Sequence, residues 1–273
     1  MKALPHEKEV TFMAIHSLMR EAADHYQRDG YYIGADVFSE EEVKQARNGT
    51  SEVLGGRYDL GVAPSWGSYK PEHVGSKLVK VNDAHLSNKA IYNMISSAKL
   101  GEWAAAVTGA NMVQVWLTQL IHKPGNVEER GNIGWHQDYA YWSHWEGEVF
   151  TSWIALSDVM ELSGPMAFVK QSHRWGFLED TANFNDHDLE RQKEKLHREG
   201  RVWDEANAVL RPGQASFHHP LTLHGSGSNR STEPRLSIAI HMRTEKSKQL
   251  LNTEGKLFHD LSNPYLCPVI YQK

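Results

Sequence analysis

The sequence predicts an α+β fold that is mainly β, with helices in about residues 1–110 and short antiparallel strands in about residues 111–245. Apolar residues recur at helical spacing as far as Gly109, and beyond it they alternate with polar residues as in strands. Runs of helices followed by many short strands are typical of folds whose strands form a sandwich or barrel. The length allows one or two domains, and we predict a single domain over residues 1–273.

The helical part begins with a predicted helix over residues 7–27, where apolar side chains follow the helical period. Asp29-Gly30 ends this helix, and residues 31–33 read as a short strand. Ser39 and Glu42 have the spacing of a capping box, in which each side chain satisfies the other residue's backbone N–H. A second helix therefore begins at this point.

A long loop is predicted over residues 58–75, because this stretch is rich in Gly and Pro and shows no sustained period. It carries Trp66 and Tyr69, and loops of this kind often cover a functional site. A third helix is predicted over residues 89–107, with Thr108-Gly109 as its stop signal.

The second part of the chain contains β-rich runs separated by turn residues, and a charged insertion interrupts them at about residues 183–207. We interpret the insertion as a surface helix with a solvated face, and a lid is the alternative. The predicted strands cover residues 112–119, 149–156, 166–169, 215–217 and 236–242.

Composition and charge exclude several classes of protein. The 29 basic and 34 acidic residues give a net charge of −5 without long blocks of either sign, so neither nucleic acid nor an anionic membrane is an expected partner. No apolar run approaches the roughly 20 residues of a spanning helix, and the N-terminus lacks the apolar stretch of a secretion signal. Cys267 is the single cysteine, which excludes an intrachain disulfide and multi-cysteine metal frameworks. We therefore expect a cytoplasmic protein.

Histidine is in excess, with 16 residues, and this composition indicates a transition-metal site. In Gly134-Trp135-His136-Gln137-Asp138 a His and an Asp stand two residues apart in a segment that otherwise resembles a strand. Strand side chains alternate between faces, so both point the same way and can bind one metal ion. One further His from a distant strand would complete a facial triad with open coordination positions.

Five segments together resemble the phytanoyl-CoA dioxygenase family of Fe(II)- and 2-oxoglutarate-dependent oxygenases. Their order and spacing match the family from about residue 114 to residue 242, and the helical part matches more loosely. The resemblance implies a double-stranded β-helix core, of the jelly-roll or cupin-like type, flanked by N-terminal helices. The segments are Trp135-His136-Gln137-Asp138, Ser163-Gly164-Pro165-Met166, Gln171-Ser172-His173-Arg174-Trp175-Gly176, His224-Gly225-Ser226 and Arg235.

The resemblance implies His136, Asp138 and His224 as the catalytic metal ligands. His218 and His219 are the competing choices for the distal ligand. In the family, the His that directly follows a Phe, as His218 does here, lies upstream of the metal ligand. The distal ligand stands eleven residues before the Arg that binds 2-oxoglutarate, and His224 has this spacing from Arg235. The resemblance therefore favours His224.

The family's co-substrate site also maps onto this chain. Arg235 falls on the residue that binds the distal carboxylate of 2-oxoglutarate, where a planar guanidinium matches a carboxylate in two hydrogen bonds. Ser226 matches a residue whose hydroxyl assists this Arg, and Trp153 matches an aromatic residue near the co-substrate. Gln119 and Thr118 lie on a strand that lines the pocket in relatives, and we assign Gln119 to the co-substrate and Thr118 to the substrate.

The substrate contacts are predicted from an aromatic cluster just after the metal ligands. Such side chains can form a wall for an apolar body or a cationic amine, and the alternative is that half of them pack in the core. The cluster comprises Tyr139, Tyr141 and Trp142, with His144 and Trp145 beyond them. Three basic residues could contact an anionic group of the substrate: Lys77, Lys80 and Arg57. We nevertheless interpret each of them as a solvated surface charge.

The resemblance implies oxidation of a small-molecule substrate, with Fe(II) as cofactor and with 2-oxoglutarate and O2 as co-substrates. 2-Oxoglutarate would be converted to succinate and CO2 while an unactivated C–H bond is hydroxylated. Asp138 fills the coordination position that halogenating relatives leave to a halide, which favours hydroxylation. Two alternatives stay open: a zinc-dependent hydrolase with the same ligands, and a non-catalytic jelly-roll binding protein.

Overall fold

The computed structural model describes residues 5–64, 71–126, 131–181, 184–197, 200–250 and 260–273. Five α-helices and thirteen strands lie within these ranges. The helices are α1 (Pro5–Asp29), α2 (Glu40–Leu54), α3 (Lys89–Ile95), α4 (Ala98–Thr108) and α5 (Leu189–Leu196). The strands are β1 (Tyr31–Asp36), β2 (Val79–Asn82), β3 (Met112–Lys123), β4 (Ile133–His136), β5 (Trp145–Glu146), β6 (Val149–Ala155), β7 (Met166–Val169), β8 (Glu205–Asn207), β9 (Gln214–His218), β10 (His224–Ser226), β11 (Arg235–Thr244), β12 (Lys248–Gln249) and β13 (Val269–Gln272).

The first two helices confirm their sequence signals. Helix α1 ends at Asp29, directly before Gly30. At the start of α2 the backbone N–H of Glu42 donates to Ser39 Oγ at 3.4 Å, and the backbone N–H of Ser39 donates to the Glu42 carboxylate at 2.8 Å. The predicted capping box is therefore formed, and it satisfies two N–H groups that the helix itself leaves without partners.

The prediction of one helix over residues 89–107 is wrong, because two helices, α3 and α4, occupy this range. The break lies at Ser96 and Ser97: the Ser96 hydroxyl donates to the carbonyl of Tyr92 at 2.8 Å, and Ser97 is extended, with φ −68° and ψ 130°. Serine competes in this way with the helical hydrogen bonds. The stop at Gly109 is confirmed, with a left-handed φ of 72°. Within the predicted loop, residues 65–70, including Trp66 and Tyr69, lie outside the described residues.

The strands form a jelly roll of two antiparallel sheets, which confirms the predicted fold class. The large sheet has the order β1-β9-β6-β11-β3-β13, with β2 also paired to β3, and the small sheet has the order β4-β10-β7-β8. A third pairing joins β12 to β5. All five predicted strand regions are confirmed as β3, β6, β7, β9 and β11.

The two faces of the large sheet have different neighbours. Its outer face packs against the helical part, and Val113, Ile154 and Ile240 belong to the same buried apolar cluster as helical residues such as Ala46 and Leu100. Its inner face packs against the small sheet and carries the polar residues described below. Helices thus cover one side of the sheet, and a cavity forms on the other.

The charged insertion contributes more than a solvated face, which corrects our interpretation. Helix α5 lies within it and buries Gln192 and Leu196. The Gln192 side chain accepts a hydrogen bond from the backbone N–H of Trp135 at 2.9 Å and donates to its carbonyl at 3.3 Å. The carbonyl of Phe184 accepts from the N–H of Gly134 at 2.8 Å. The insertion is therefore attached to β4, and the prediction that the whole chain forms one domain stays a prediction.

Among the described residues, no helix has both the length and the apolar character that a membrane span requires.

Candidate metal centre and co-substrate pocket

The three predicted metal ligands come together at one end of the small sheet. His136 is the last residue of β4, and His224, the first residue of β10, is its direct cross-strand partner. Asp138 begins a short 3-10 helix, Asp138–Tyr141, so the strand ends earlier than predicted. Gln137 between them is still extended, and its side chain points away to donate to the carbonyls of Gly176 and Leu221. The alternation that the sequence predicts therefore holds as far as Asp138.

The geometry of the three side chains fits a transition-metal ion. One potential ligand atom from each residue lies within 4.8 Å of the others, and Nε2 of His136 and of His224 each lie 3.7 Å from Asp138 Oδ1. Nδ1 of His136 lies 2.7 Å from the carbonyl of Gly134, and Nδ1 of His224 lies 2.9 Å from that of Thr222. Since a carbonyl only accepts, both hydrogens lie on Nδ1, and both Nε2 lone pairs face Asp138.

The charge states of the triad suit metal binding as well. Burial lowers the pKa of His136 to about 4 and holds the pKa of His224 well below its usual value, so both imidazoles are neutral near pH 7. Burial alone would raise the pKa of Asp138, but the neighbouring His224 and a hydrogen bond from His218 outweigh it and hold this pKa well below its usual range. Two neutral imidazoles and one carboxylate are the ligand set of a facial triad.

A cavity beside the triad is lined by the inner face of the large sheet. Successive residues on this face are two apart in the sequence, as strand geometry requires. The lining residues of the large sheet and of β2 are Lys80, Gln119, Ile121, Thr151, Trp153, His218, Arg235, Ala239 and His241. The small sheet and the triad contribute Ile133, His136, Asp138, Met166, His224, Gly225 and Ser226. Gln119, Trp153, Ser226 and Arg235 thus share one cavity with the triad, as the co-substrate prediction requires.

The end of the cavity around Arg235 is rich in basic side chains. Arg235 is 1% exposed, and its guanidinium donates to the carbonyl of Gly164 and lies 5.2 Å from the Trp153 ring centroid. Lys123 Nζ is fully buried and donates to Ser226 Oγ at 2.8 Å. Burial lowers the pKa of Arg235 to about 10 and that of Lys80 to about 8. In the described part of the chain, no carboxylate forms an ion pair with Arg235, Lys123 or Lys80.

None of the three side chains of the predicted aromatic wall is among the residues that line the cavity. Tyr141 lies beside the triad, with its ring centroid 6.1 Å from that of His136, and its hydroxyl accepts from the N–H of Phe184. Tyr139 packs against Phe177, with 5.5 Å between ring centroids, and is not among the lining residues. The prediction of Trp142 as a substrate contact is corrected, because this side chain is 4% exposed and packs in an apolar cluster. That cluster also contains Trp116, Trp145 and Cys267.

Two further predictions need correction. Thr118 lies on the outer face of β3, where its hydroxyl is 2.8 Å from Nδ1 of His85, so it does not line the cavity. Its neighbour Gln119 does line the cavity, because adjacent strand residues face opposite sides. Lys80 is not a solvated surface charge, since it lies on β2 among the lining residues.

Sequence reasoning missed three polar residues in or beside the cavity, Thr151, His241 and Lys123, and gave a fourth, His218, no role. The signal for Thr151 was its position two residues before Trp153 on one strand, which places both on the same face. His218 was considered only as a metal ligand. Its proximity to Asp138 depends on strand pairing between distant segments, which no local pattern encodes.

Comparisons with known proteins agree with this geometry. The model of the phytanoyl-CoA dioxygenase (PhyH) family matches residues 26–237. The chain is 28% identical over 235 residues to a probable alpha-ketoglutarate-dependent hypophosphite dioxygenase of Stutzerimonas stutzeri, covering 82% of this chain and 78% of the relative. It is 22% identical to the human peroxisomal phytanoyl-CoA dioxygenase, covering 82% of this chain and 68% of the relative.

Solved structures show the same fold. The alpha-ketoglutarate-dependent epimerase SnoN from nogalamycin biosynthesis superposes with a TM-score of 0.72 at 21% identity, covering 94% of this chain and 97% of that one. The ectoine dioxygenase EctD of Sphingopyxis alaskensis, solved with 2-oxoglutarate and 5-hydroxyectoine, gives a TM-score of 0.62 at 21% identity, with coverages of 90% and 82%.

Proposed function

The chain belongs to the phytanoyl-CoA dioxygenase family of Fe(II)- and 2-oxoglutarate-dependent oxygenases, and from this premise we propose that it hydroxylates an unactivated C–H bond of a small molecule. The observation that carries the proposal is the convergence of His136, Asp138 and His224, with both imidazole lone pairs turned toward Asp138. These three residues would hold Fe(II). When bound, the iron supplies the activation of O2 that couples decarboxylation of 2-oxoglutarate to oxidation of the substrate.

The positive end of the cavity matches the charge of 2-oxoglutarate, which is a dianion. Arg235 would bind the distal carboxylate, since its guanidinium is buried, lacks an ion-pair partner among the described carboxylates and is already oriented by Gly164 and Trp153. Lys80 lines the same cavity as Asp138 and Arg235, and both of these charges affect its ammonium group. We assign it to the second carboxylate.

Ser226 is prepared to donate a hydrogen bond to the co-substrate. Its hydroxyl oxygen accepts from Lys123 Nζ at 2.8 Å, and this leaves the single hydroxyl hydrogen for another acceptor. Lys123 also donates to the carbonyl of Gly227 at 2.6 Å, which fixes the ammonium group. Ser226 would thus donate to the carboxylate that Arg235 binds.

The substrate class follows only coarsely from the relatives, which act on small molecules. Their names specify hypophosphite, phytanoyl-CoA, L-proline and ectoine. A diffusible small molecule in the cytoplasm, without a nucleic-acid or membrane partner, remains our proposal, supported by the net charge of −5 without long charged blocks.

Succinate formation tests the proposal. The purified chain is supplied with Fe(II), ascorbate, 2-oxoglutarate and O2, together with ectoine or L-proline, both of which carry C–H bonds, and succinate and O2 uptake are measured. We expect succinate formation that needs both Fe(II) and O2 and is stimulated by the matching substrate. Zinc-dependent ester cleavage without O2 uptake would contradict the proposal and favour a hydrolase.

A further inference from the structure

The two carboxylate oxygens of Asp138 have different surroundings. Oδ1 lies 3.7 Å from Nε2 of both His136 and His224. Oδ2 accepts a hydrogen bond from the Thr151 hydroxyl at 2.8 Å and lies 3.1 Å from His218 Nε2. One oxygen therefore faces the metal-binding position, and the other is already engaged by two side chains.

The side chains around Oδ2 come from one rung of the large sheet. Thr151 on β6 is the cross-strand partner of His218 on β9 and also of His241 on β11. Directly opposed residues of antiparallel strands project from the same face at close distance. All three side chains are buried, with exposures of 2%, 2% and 5%. Their relative positions are thus set by strand pairing rather than by a loop.

The direction of each hydrogen bond follows from the donors available. Ionised Asp138 can only accept, so the single hydrogen of the Thr151 hydroxyl points to Oδ2. The Thr151 oxygen must then accept from His241 Nδ1, which lies 2.9 Å away. His218 donates from Nε2, and its Nδ1 has no hydrogen-bond partner among the described residues, which agrees with a hydrogen on Nε2. Thr151 and His218 thus both donate to Oδ2.

We propose that Thr151 and His218 are positioning residues that restrict Asp138 to binding the metal through Oδ1 alone, with His241 fixing the direction of the Thr151 hydroxyl. A carboxylate that bound through both oxygens would use an additional coordination position, which a facial triad needs for its substrates. The proposal rests on the proposed function in one respect, namely that the triad holds Fe(II). Residues that hydrogen-bond a metal ligand orient it and tune its affinity for the metal.

Substitutions at Thr151 test the proposal with a matched pair. Thr151→Val removes the hydroxyl at nearly constant volume, and Thr151→Ser keeps it. Fe(II) affinity is measured anaerobically by competition with a coloured chelator, without 2-oxoglutarate or turnover. We expect Thr151→Val to weaken Fe(II) binding by about 10-fold or more, and Thr151→Ser to bind close to the wild type. Equal affinities for Thr151→Val and the wild type would overturn the proposal.

Substitutions at His218 separate positioning from direct metal ligation. The amide nitrogen of Gln reaches the place of Nε2 and can donate to Oδ2, whereas Leu cannot. Two properties are measured: the affinity for Fe(II) and the visible absorption band of the anaerobic complex with 2-oxoglutarate. We expect His218→Gln to keep both properties and His218→Leu to lose both. Equal losses in the two variants would overturn the positioning role and indicate that His218 binds the metal itself. If His218→Leu does not fold, the Thr151 pair decides.

The wild type separates this proposal from the proposed function. If the wild type does not bind Fe(II), both proposals fail. If it binds Fe(II) and forms succinate while Thr151→Val and His218→Leu bind equally well, only the positioning role fails.

Discussion

The two sheets contribute different parts of the site. The small sheet supplies the two His ligands from strands of four and three residues, with a register shift between His224 and Ser226, and Asp138 follows β4 in a short 3-10 helix. The large sheet supplies Arg235, Thr151 and His218 from longer strands, with ten residues in β11, and the pairings of β6 with β11 and β9 show no register shift. The two His ligands thus lie on short strands, and the residues that orient Asp138 and the co-substrate lie on the large sheet. Loss of a triad residue should abolish the reaction, and loss of a polar residue that the large sheet places in the cavity should change affinities.

Removal of a triad residue is the strongest test of the small sheet's role. His136→Ala or Asp138→Ala should abolish Fe(II)-dependent succinate formation, because two of three ligands do not hold the ion in a productive arrangement. The fold should persist, since the apolar clusters are unaffected, and circular dichroism would check this. His197→Ala, at an exposed His of the insertion, is the control and should be active. Succinate formation in both triad variants would contradict the assignment of metal binding to these residues, and with it the proposed difference between the two sheets.

Substitution of Arg235 tests the large sheet's role in co-substrate binding. Arg235→Leu should raise KM for 2-oxoglutarate by about 10- to 100-fold, because a charge-assisted hydrogen bond is worth about 1.5–3 kcal/mol. Fe(II) affinity should be unchanged. The KM of Arg235→Lys should lie between the values for the wild type and Arg235→Leu, since Lys keeps the charge but cannot form the paired hydrogen bonds of a guanidinium. An unchanged KM in Arg235→Leu would mean that another residue anchors the carboxylate.

Lys80 predicts a pH dependence at the same end of the cavity. Burial lowers its pKa to about 8, so the free enzyme carries the ammonium charge below this pH and loses it above. The kcat/KM for 2-oxoglutarate should therefore fall as the pH rises through about 8, since this ratio reports the free enzyme. Lys80→Met should lower kcat/KM and remove this step from the profile. A profile that keeps the step in Lys80→Met would assign it to a different group.

A substitution at Thr118, on the outer face of the large sheet, should have the smallest effect and allows the two faces to be compared. Thr118→Val removes the contact with His85 on the outer face and should lower the free energy of unfolding by about 1 kcal/mol. Chemical denaturation measures this change. The KM for 2-oxoglutarate should equal that of the wild type, and an increased KM would show that the outer face also influences the pocket.

Local patterns predicted much of this structure. The capping box at Ser39 and the strand regions depend on residues near in sequence, and the structure confirms them. The pairing of His136 with Asp138 followed from strand alternation, whereas the choice of His224 as the third ligand followed from a family resemblance. The cavity position of Trp153 followed from the same resemblance.

Predictions failed where tertiary structure overrides a local pattern. Trp142 follows Asp138 by four residues, but the 3-10 helix between them ends the strand alternation and turns Trp142 into the core. Lys80 belongs to a four-residue strand whose pairing with β3 brings it inside. The rung of Thr151, His218 and His241 joins three distant segments, so it required the sheet register.

The attachment of the charged insertion to β4 has a consequence for the solubility of the protein. β4 is the outermost strand of the small sheet, and its free side is covered by Gln192 and by the carbonyl of Phe184. An uncovered strand edge offers N–H and C=O groups to any other extended chain. Shortening the insertion would therefore expose this edge next to His136 and favour self-association of the enzyme through intermolecular strand pairing.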